Sequence, residues 1–151
     1  MKEQVSLFNF SVLGLAYIAG FLDADGSVVI SKSTDSRTSG GYGYQLHVNI
    51  GQKIMLPLFE ELIKAYGGSV CHTNRNSYMW TICSKKAMTF LQDILPYLRL
   101  KQEEAKLGIQ FQTKVKNYCG HVGHLLSDSE LMKREIFYQE MRRLKKERKP
   151  L

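Results

Sequence analysis

The stretch Ile18 Ala19 Gly20 Phe21 Leu22 Asp23 Ala24 Asp25 Gly26 constrains this chain most, because it joins an apolar, small-residue helix directly to two acids at its carboxyl end. If the helix begins at Val12 to Leu15, then Leu15, Ile18 and Leu22 fall on one stripe and Ala16, Ala19, Gly20 and Asp23 on another. The first stripe suits a core, and the second, with its small residues, suits close approach by a neighbouring helix. Asp25 followed by Gly26 puts a carboxylate where the helix stops and the chain turns. The carbonyl end of a helix is partially negative, so a carboxylate there calls for a positive neighbour, and a metal ion is the simplest candidate. Two such helices side by side would bring two carboxylates together. At ~5 Å and an effective dielectric of about 20 they repel by about 3 kcal/mol, which a proton or a divalent cation must relieve. Asp23 and Asp25 themselves, two positions apart on a helix, point in different directions, so one chain does not supply the pair.

The rest of the composition fits one soluble domain spanning residues 1–151. The hydrophobic fraction of 44% is enough for a core without disulfides. A formal charge of +7 favours a polyanionic partner. The excess is concentrated in the tail, where eight basic residues face three acidic ones between Lys133 and Lys149. Such a helix either contacts phosphate or is simply a solvated face. Cys71, Cys83 and Cys119 form no CxxC pair, which points to a reducing intracellular compartment without resolving nucleus, organelle or cytoplasm. Cys119, His121 and His124 cluster, but no second ligand pair at finger spacing accompanies them, so no structural zinc is expected. The apolar run from Val12 to Leu22 is too short to span a membrane, and neither a membrane partner nor a secretory signal is expected.

After Gly26 the hydrophobic period changes from helical to alternating. Ser27, Val29, Ser31 and Ser33 share one side of a strand, with Val28, Ile30 and the stem of Lys32 on the other. Thr34 to Gly43 reads as a polar hairpin tip carrying Arg37. In the returning strand Leu46, Val48 and Ile50 alternate with Gln45, His47 and Asn49. Lys53 to Tyr66 reads as a helix ended by Gly67 and Gly68. A second hairpin pairs Ser69–Thr73 with Tyr78–Cys83, with Tyr78, Trp80 and Ile82 on the core side. Ser84 is a plausible cap for a helix carrying Met88, Leu91 and Ile94; Pro96 interrupts, and a further helix runs from Lys101 to about Lys116. Ser127 and Glu130 form a capping box for a basic terminal helix at about 127–149. Hairpins alternating with helices describe an α+β domain whose four-stranded sheet buries one face under helices and exposes a polar concave face.

That face offers Ser31, Ser33, Gln45, His47 and Asn49, with Thr73, Arg75 and Thr81 from the second hairpin. A two-stranded ribbon fits the DNA major groove, where Asn and Gln pair with adenine and Arg with guanine. The same alternation also describes an ordinary solvated sheet.

The segment Ile18–Gly26 closely resembles the signature of the LAGLIDADG homing endonucleases, and the likeness extends from about Leu13 to Lys106. The resemblance implies an αββαββα fold, a saddle-shaped antiparallel sheet with helices on one face, and a homodimer formed through the signature helix, with Ala16, Ala19, Gly20 and Asp23 at the interface. It implies that Asp25 binds the essential Mg²⁺, for which Mn²⁺ would substitute, with the Ala24 carbonyl as an additional oxygen ligand. Gln52 matches the position that orders water around the metals. Lys101, in Pro96 Tyr97 Leu98 Arg99 Leu100 Lys101, matches the basic residue near the scissile phosphate. The DNA-facing set becomes Val29, Ser31, Ser33, Arg37, Gln45, His47, Asn49, Cys71, Thr73, Arg75 and Thr81. Where relatives carry another basic residue shortly after the Gln52 position, this chain has Ile54, Met55 and Leu56, with Lys53 the nearest cation. The implied activity is site-specific hydrolysis of both strands of a pseudo-palindromic duplex of ~20 base pairs, leaving 3′ overhangs. The rival reading is a non-cleaving nucleic-acid-binding protein of the same fold, an intron RNA splicing maturase or a transcriptional regulator. Asp25, Gln52 and Lys101 together favour the nuclease. Target sequence and host intron or intein are not legible in the chain.

Overall fold

The computed structural model describes residues 12–36, 41–115 and 126–148. Arg37, Cys119, His121 and His124 lie outside them. The elements run α1 (Val12–Asp25), β1 (Gly26–Thr34), β2 (Tyr42–Gln52), α2 (Pro57–Tyr66), β3 (Ser69–Thr73), β4 (Ser77–Cys83), α3 (Ser84–Ile94), a 3₁₀ turn at Leu95–Tyr97, α4 (Gln102–Lys114) and α5 (Asp128–Glu147). The strands form one antiparallel sheet in the order β1-β2-β4-β3. No helix among the described residues is long and apolar enough to cross a membrane.

Alternation decides which face is buried. Val28, Ile30, Leu46, Val48, Ile50, Trp80 and Ile82 are all buried, and they meet Phe59, Leu62, Phe90, Leu91, Ile94 and Phe111 from the helices above. Trp80 anchors the centre, edge-on to Phe90 and donating its indole N–H to the Gly67 carbonyl at 3.0 Å. The sheet therefore has one apolar face beneath a helical layer and one face open to a ligand.

Three boundaries differ from the sequence expectation. α2 begins at Pro57 rather than Lys53, because the residue before a proline is pushed out of the helical region; Leu56 sits at φ −93°, ψ 142°. Ser84 does not cap α3. It is the first helical residue, at φ 55°, and its hydroxyl accepts a hydrogen bond from Gln45 Nε2 at 3.0 Å instead. α4 ends at Lys114, with Val115 already extended. The Ser127 hydroxyl does accept the Glu130 N–H at 3.3 Å, as the capping box requires.

α5 is a packed element of the domain. Met141 is buried, Phe137 stacks edge-on against Phe111, and Tyr138 meets Tyr44 of β2. Lys32 reaches across from β1 to Glu135, which also accepts from the Tyr44 hydroxyl. Many of its cations are matched by acids: Arg134 and Lys133 with Glu130, Arg143 with Glu140 and Glu147, Arg148 with Glu104. One face of α5 is thus packed into the domain, while Lys133, Arg142, Arg143 and Lys146 stay exposed on the other.

Candidate active site and nucleic-acid face

The site is built where α1 runs straight into β1. Gly26 makes that possible: a Cβ there would stand 2.4 Å from Leu22 Cδ1 and 2.9 Å from the Leu22 carbonyl oxygen. Because Gly26 pairs with Ile50, the preceding residue arrives beside the end of β2. Gln52 there donates its Nε2 hydrogen to Asp25 Oδ2. The Asp25 side chain is exposed.

Asp23 turns the other way. Its Oδ2 accepts the N–H groups of Arg99 (2.8 Å) and Leu100 (3.2 Å), and its Oδ1 accepts that of Lys101 (3.0 Å). These are the N–H groups of the N-cap Lys101 and of the two residues before it, which have no partner within α4. Lys101 reciprocates: its Nζ donates to the carbonyls of Leu22, at 2.7 Å, and Asp23. Lys101 is thus 6% exposed and locked onto the carboxyl end of α1. An ammonium has three N–H donors, so two are committed here. Burial, followed by the Arg148 guanidinium, pushes the Lys101 pKa below the ordinary lysine value, while Asp23, Glu104 and Asp25 oppose the shift. Lys101 supplies the positive neighbour that an acid-rich helix terminus needs, so the terminus alone does not demand a metal.

The expected interface stripe is divided. Ala16 and Gly20 are exposed, and a Cβ on Gly20 would meet nothing within 4 Å. Ala19 is 0% exposed, packed with Ile18 and Leu22 in the chain's own core, and Asp23 is turned onto residues 99–101. Helical geometry explains this: at about 100° per residue, position 19 lies about 40° from 15, at the edge of the stripe of 15, 18 and 22. The outward face of α1 is Ala16, Tyr17, Gly20 and Ala24, with Tyr17 60% exposed. Beside it the turn before α2 exposes Ile54 and Met55.

On the open sheet face the register aligns the polar residues in rows. Ser27, Asn49, Thr81 and Ser69 lie across all four strands, Val29 with His47 and Cys83, and Ser31 with Gln45. Cys71 and Thr73 continue the face on β3, with Thr73 Oγ1 2.6 Å from Ser77 Oγ, while Arg75 stands exposed in the β3–β4 turn and Ser33 near the hairpin tip. Met79, between Gly51 and Cys71, belongs to the same surface and was missed, although the alternation around Trp80 marks it. Burial lowers the pKa of His47, favouring a neutral ring with one donor and one acceptor. Among the described residues Cys71 and Cys83 are free thiols.

Among the described residues no three His, Cys, Asp or Glu side chains cluster as a metal would need. The donors suited to an oxygen-liking divalent ion are the exposed Asp25 carboxylate and the neighbouring Ala24 carbonyl, which lies next to the two carbonyls Lys101 occupies. They fit such an ion as part of a larger donor set.

A saddle of four strands entered from a signature helix that ends in one inward and one outward acid defines a LAGLIDADG endonuclease. The chain belongs to that family, whose model, described as LAGLIDADG endonuclease, matches residues 18–113. Among its relatives is the DNA endonuclease I-CvuI of Chlorella vulgaris, 33% identical over 110 residues, spanning 70% of this chain and 67% of the relative. Crystal structures of I-CvuI align with TM-scores of 0.74 and 0.75 at 25% identity, covering 87% of this chain and 82% of that one. One holds DNA, not cleaved, in the presence of 2 mM Mg, and the other its target in the presence of 2 mM Ca. The archaeal intron-encoded homing endonuclease I-Vdi141I, complexed with DNA, aligns at a TM-score of 0.72 with 19% identity, covering 87% and 84% of the two chains.

Proposed function

We propose that this chain is an intracellular, site-specific homing endonuclease that acts as a homodimer on double-stranded DNA with Mg²⁺, cutting both strands to leave 3′ overhangs. The observation that carries the reading is the grouping of Asp25, Gln52 and Lys101 around the end of α1, beside a sheet face of hydrogen-bonding side chains.

One chain offers one outward carboxylate, so a second copy meeting it through Ala16, Tyr17, Gly20 and Ala24 completes the donor set. Exposed Tyr17, Ile54 and Met55 and the open space over Gly20 support a partner on that face. A divalent ion, Mg²⁺ or Mn²⁺, would be held by Asp25 and the Ala24 carbonyl and would supply Lewis-acid activation and charge neutralisation at the phosphate. Gln52 orients the Asp25 carboxylate and presents its remaining amide groups to water. Lys101 holds positive charge under the reacting phosphate from a fixed position, which is worth more than a mobile surface cation because no reorganisation is required. The polar rows on β1 to β4 read base edges, and two-fold symmetry sets a pseudo-palindromic site of ~20 base pairs.

The test is cleavage selection from a randomised duplex library with Mg²⁺, using Asp25→Asn as the control. The wild-type chain is expected to yield one partly palindromic site, and the variant to bind that site without cutting it. Appreciable cutting by verified Asp25→Asn protein overturns the metal assignment. Specific binding with no cutting by the wild type would establish the rival reading, a non-cleaving binder of DNA or intron RNA.

A further inference from the structure

The last turn of α5 reaches the start of α4. Glu104, in the first turn of α4, is 3% exposed, and its Oε1 lies 3.1 Å from Arg148 Nη1 without accepting an aligned hydrogen bond. A buried carboxylate persists only where cations compensate it. Arg148 and Lys145 from α5 and Lys101 from the α4 cap all lie within electrostatic reach of one another and of Glu104. Residue 101 caps α4 at its start, and Glu104 follows three positions later on the same turn. Any shift of that turn moves both the Lys101 ammonium and the three N–H groups that hold Asp23. α5 lies beyond the residues that the family model matches.

We propose that Glu104 and Arg148 are a positioning pair for the active site, by which the end of α5 clamps the first turn of α4 against the carboxyl end of α1 and so fixes Lys101 beside Asp25. This rests on the role given to Lys101 above. Neither residue touches the reacting phosphate; both act through Lys101. The pair couples a helix beyond the residues matched by the family model to the chemistry, so α5 contributes to rate as well as to packing.

Single-turnover cleavage of the selected duplex with Mg²⁺, and affinity for it without divalent metal, separate rate from binding. Arg148→Met is expected to slow cleavage about tenfold at unchanged affinity, since small misplacements of a catalytic group cost rate rather than binding. Arg148→Lys, which keeps the charge, should recover most of the loss. In a Lys101→Met background, Arg148→Met should add no further loss, because the two act in series. Glu104→Gln keeps the side-chain shape and should reproduce both the slowing and its disappearance in the Lys101→Met background, even where Arg148→Met folds poorly. Equal losses of rate and affinity, failure of Arg148→Lys to restore cleavage, or losses that multiply with that of Lys101→Met overturn the inference. A Lys101→Met enzyme as fast as wild type would instead overturn the role of Lys101 itself, and the inference with it.

Discussion

Removing the Asp23 carboxylate tests whether the first acid of the signature serves the chain's own fold or a partner. It accepts three backbone N–H groups, at 2.8, 3.2 and 3.0 Å from Arg99, Leu100 and Lys101. Each such bond, charge-assisted but only half-buried, contributes about 1 kcal/mol net, so Asp23→Ala should cost about 3 kcal/mol. With a urea dependence of about 2 kcal/mol per molar, the unfolding midpoint should fall by about 1.5 M. Asp23→Asn keeps one acceptor oxygen. Seated at the Oδ2 position it holds Arg99 and Leu100 but turns an amide N–H₂ towards the Lys101 N–H, so its loss should lie between wild type and Ala. The assay is urea unfolding followed by circular dichroism at two protein concentrations about a hundredfold apart, because a dimer's stability depends on concentration and a monomer's does not. The expected loss persists at both. If Asp23→Ala altered only the concentration dependence, the carboxylate would be serving the dimer interface, and an unchanged midpoint would show that the cap carries no weight.

Gly20→Leu places a side chain in open space on the monomer, and replacing a helical glycine favours the helix by up to about 1 kcal/mol. Sedimentation should therefore find a folded monomer in place of a dimer, and an unchanged dimer would exclude α1 as the interface. Glu135 has its pKa lowered from 4.5 to about 2, chiefly by the Lys32 hydrogen bond and then by Tyr44 and Gln139. Because the folded value is the lower, its contribution is present above pH 4.5 and is lost as pH falls towards about 2. Discounted for its partial exposure, that contribution is about 1 kcal/mol. Glu135→Gln should thus be less stable than wild type near neutrality and nearly equal to it at about pH 2, by thermal melting; a constant difference would refute the linkage. Replacing exposed Arg75 with Gln should reduce the slope of log affinity against log salt by about 2 for a dimer, whereas replacing Arg143 should change it little. The reverse result would return the phosphate contacts to α5.

The sheet was legible in the sequence because its period-two alternation is unambiguous: Val28, Ile30, Leu46, Val48 and Ile50 could face only inward, and register then fixed their polar neighbours on the other face. The pairing of Asp25 with Gln52 followed from resemblance and not from periodicity, since nothing local ties residue 25 to residue 52 until β1 and β2 are paired. Ala19 was misplaced because small size was read as an interface signal, whereas the helical angle puts it among core residues. The exchange between Asp23 and Lys101 was illegible. It spans seventy-eight positions and depends on the 3₁₀ turn at Leu95–Tyr97 carrying the chain to the end of α1. Pro96 announced a break, but a break does not state where the chain goes next.

The two acids of the signature are two positions apart but opposite in consequence, and the backbone enforces the division. Asp23 is satisfied within its own chain by donors that no substitution elsewhere in the helix could replace, and so it adds rigidity to the helix end. Asp25 meets a single amide and is otherwise open, and it inherits that rigidity without sharing its partners. A cation-binding carboxylate has to be held in place yet left with free lone pairs, requirements that conflict when one residue must meet both. In the proposed site, placing the structural bonds on the inward acid and leaving the outward one free for a ligand resolves the conflict. On the proposed reading this division also calls for a second copy, since each helix offers one outward carboxylate.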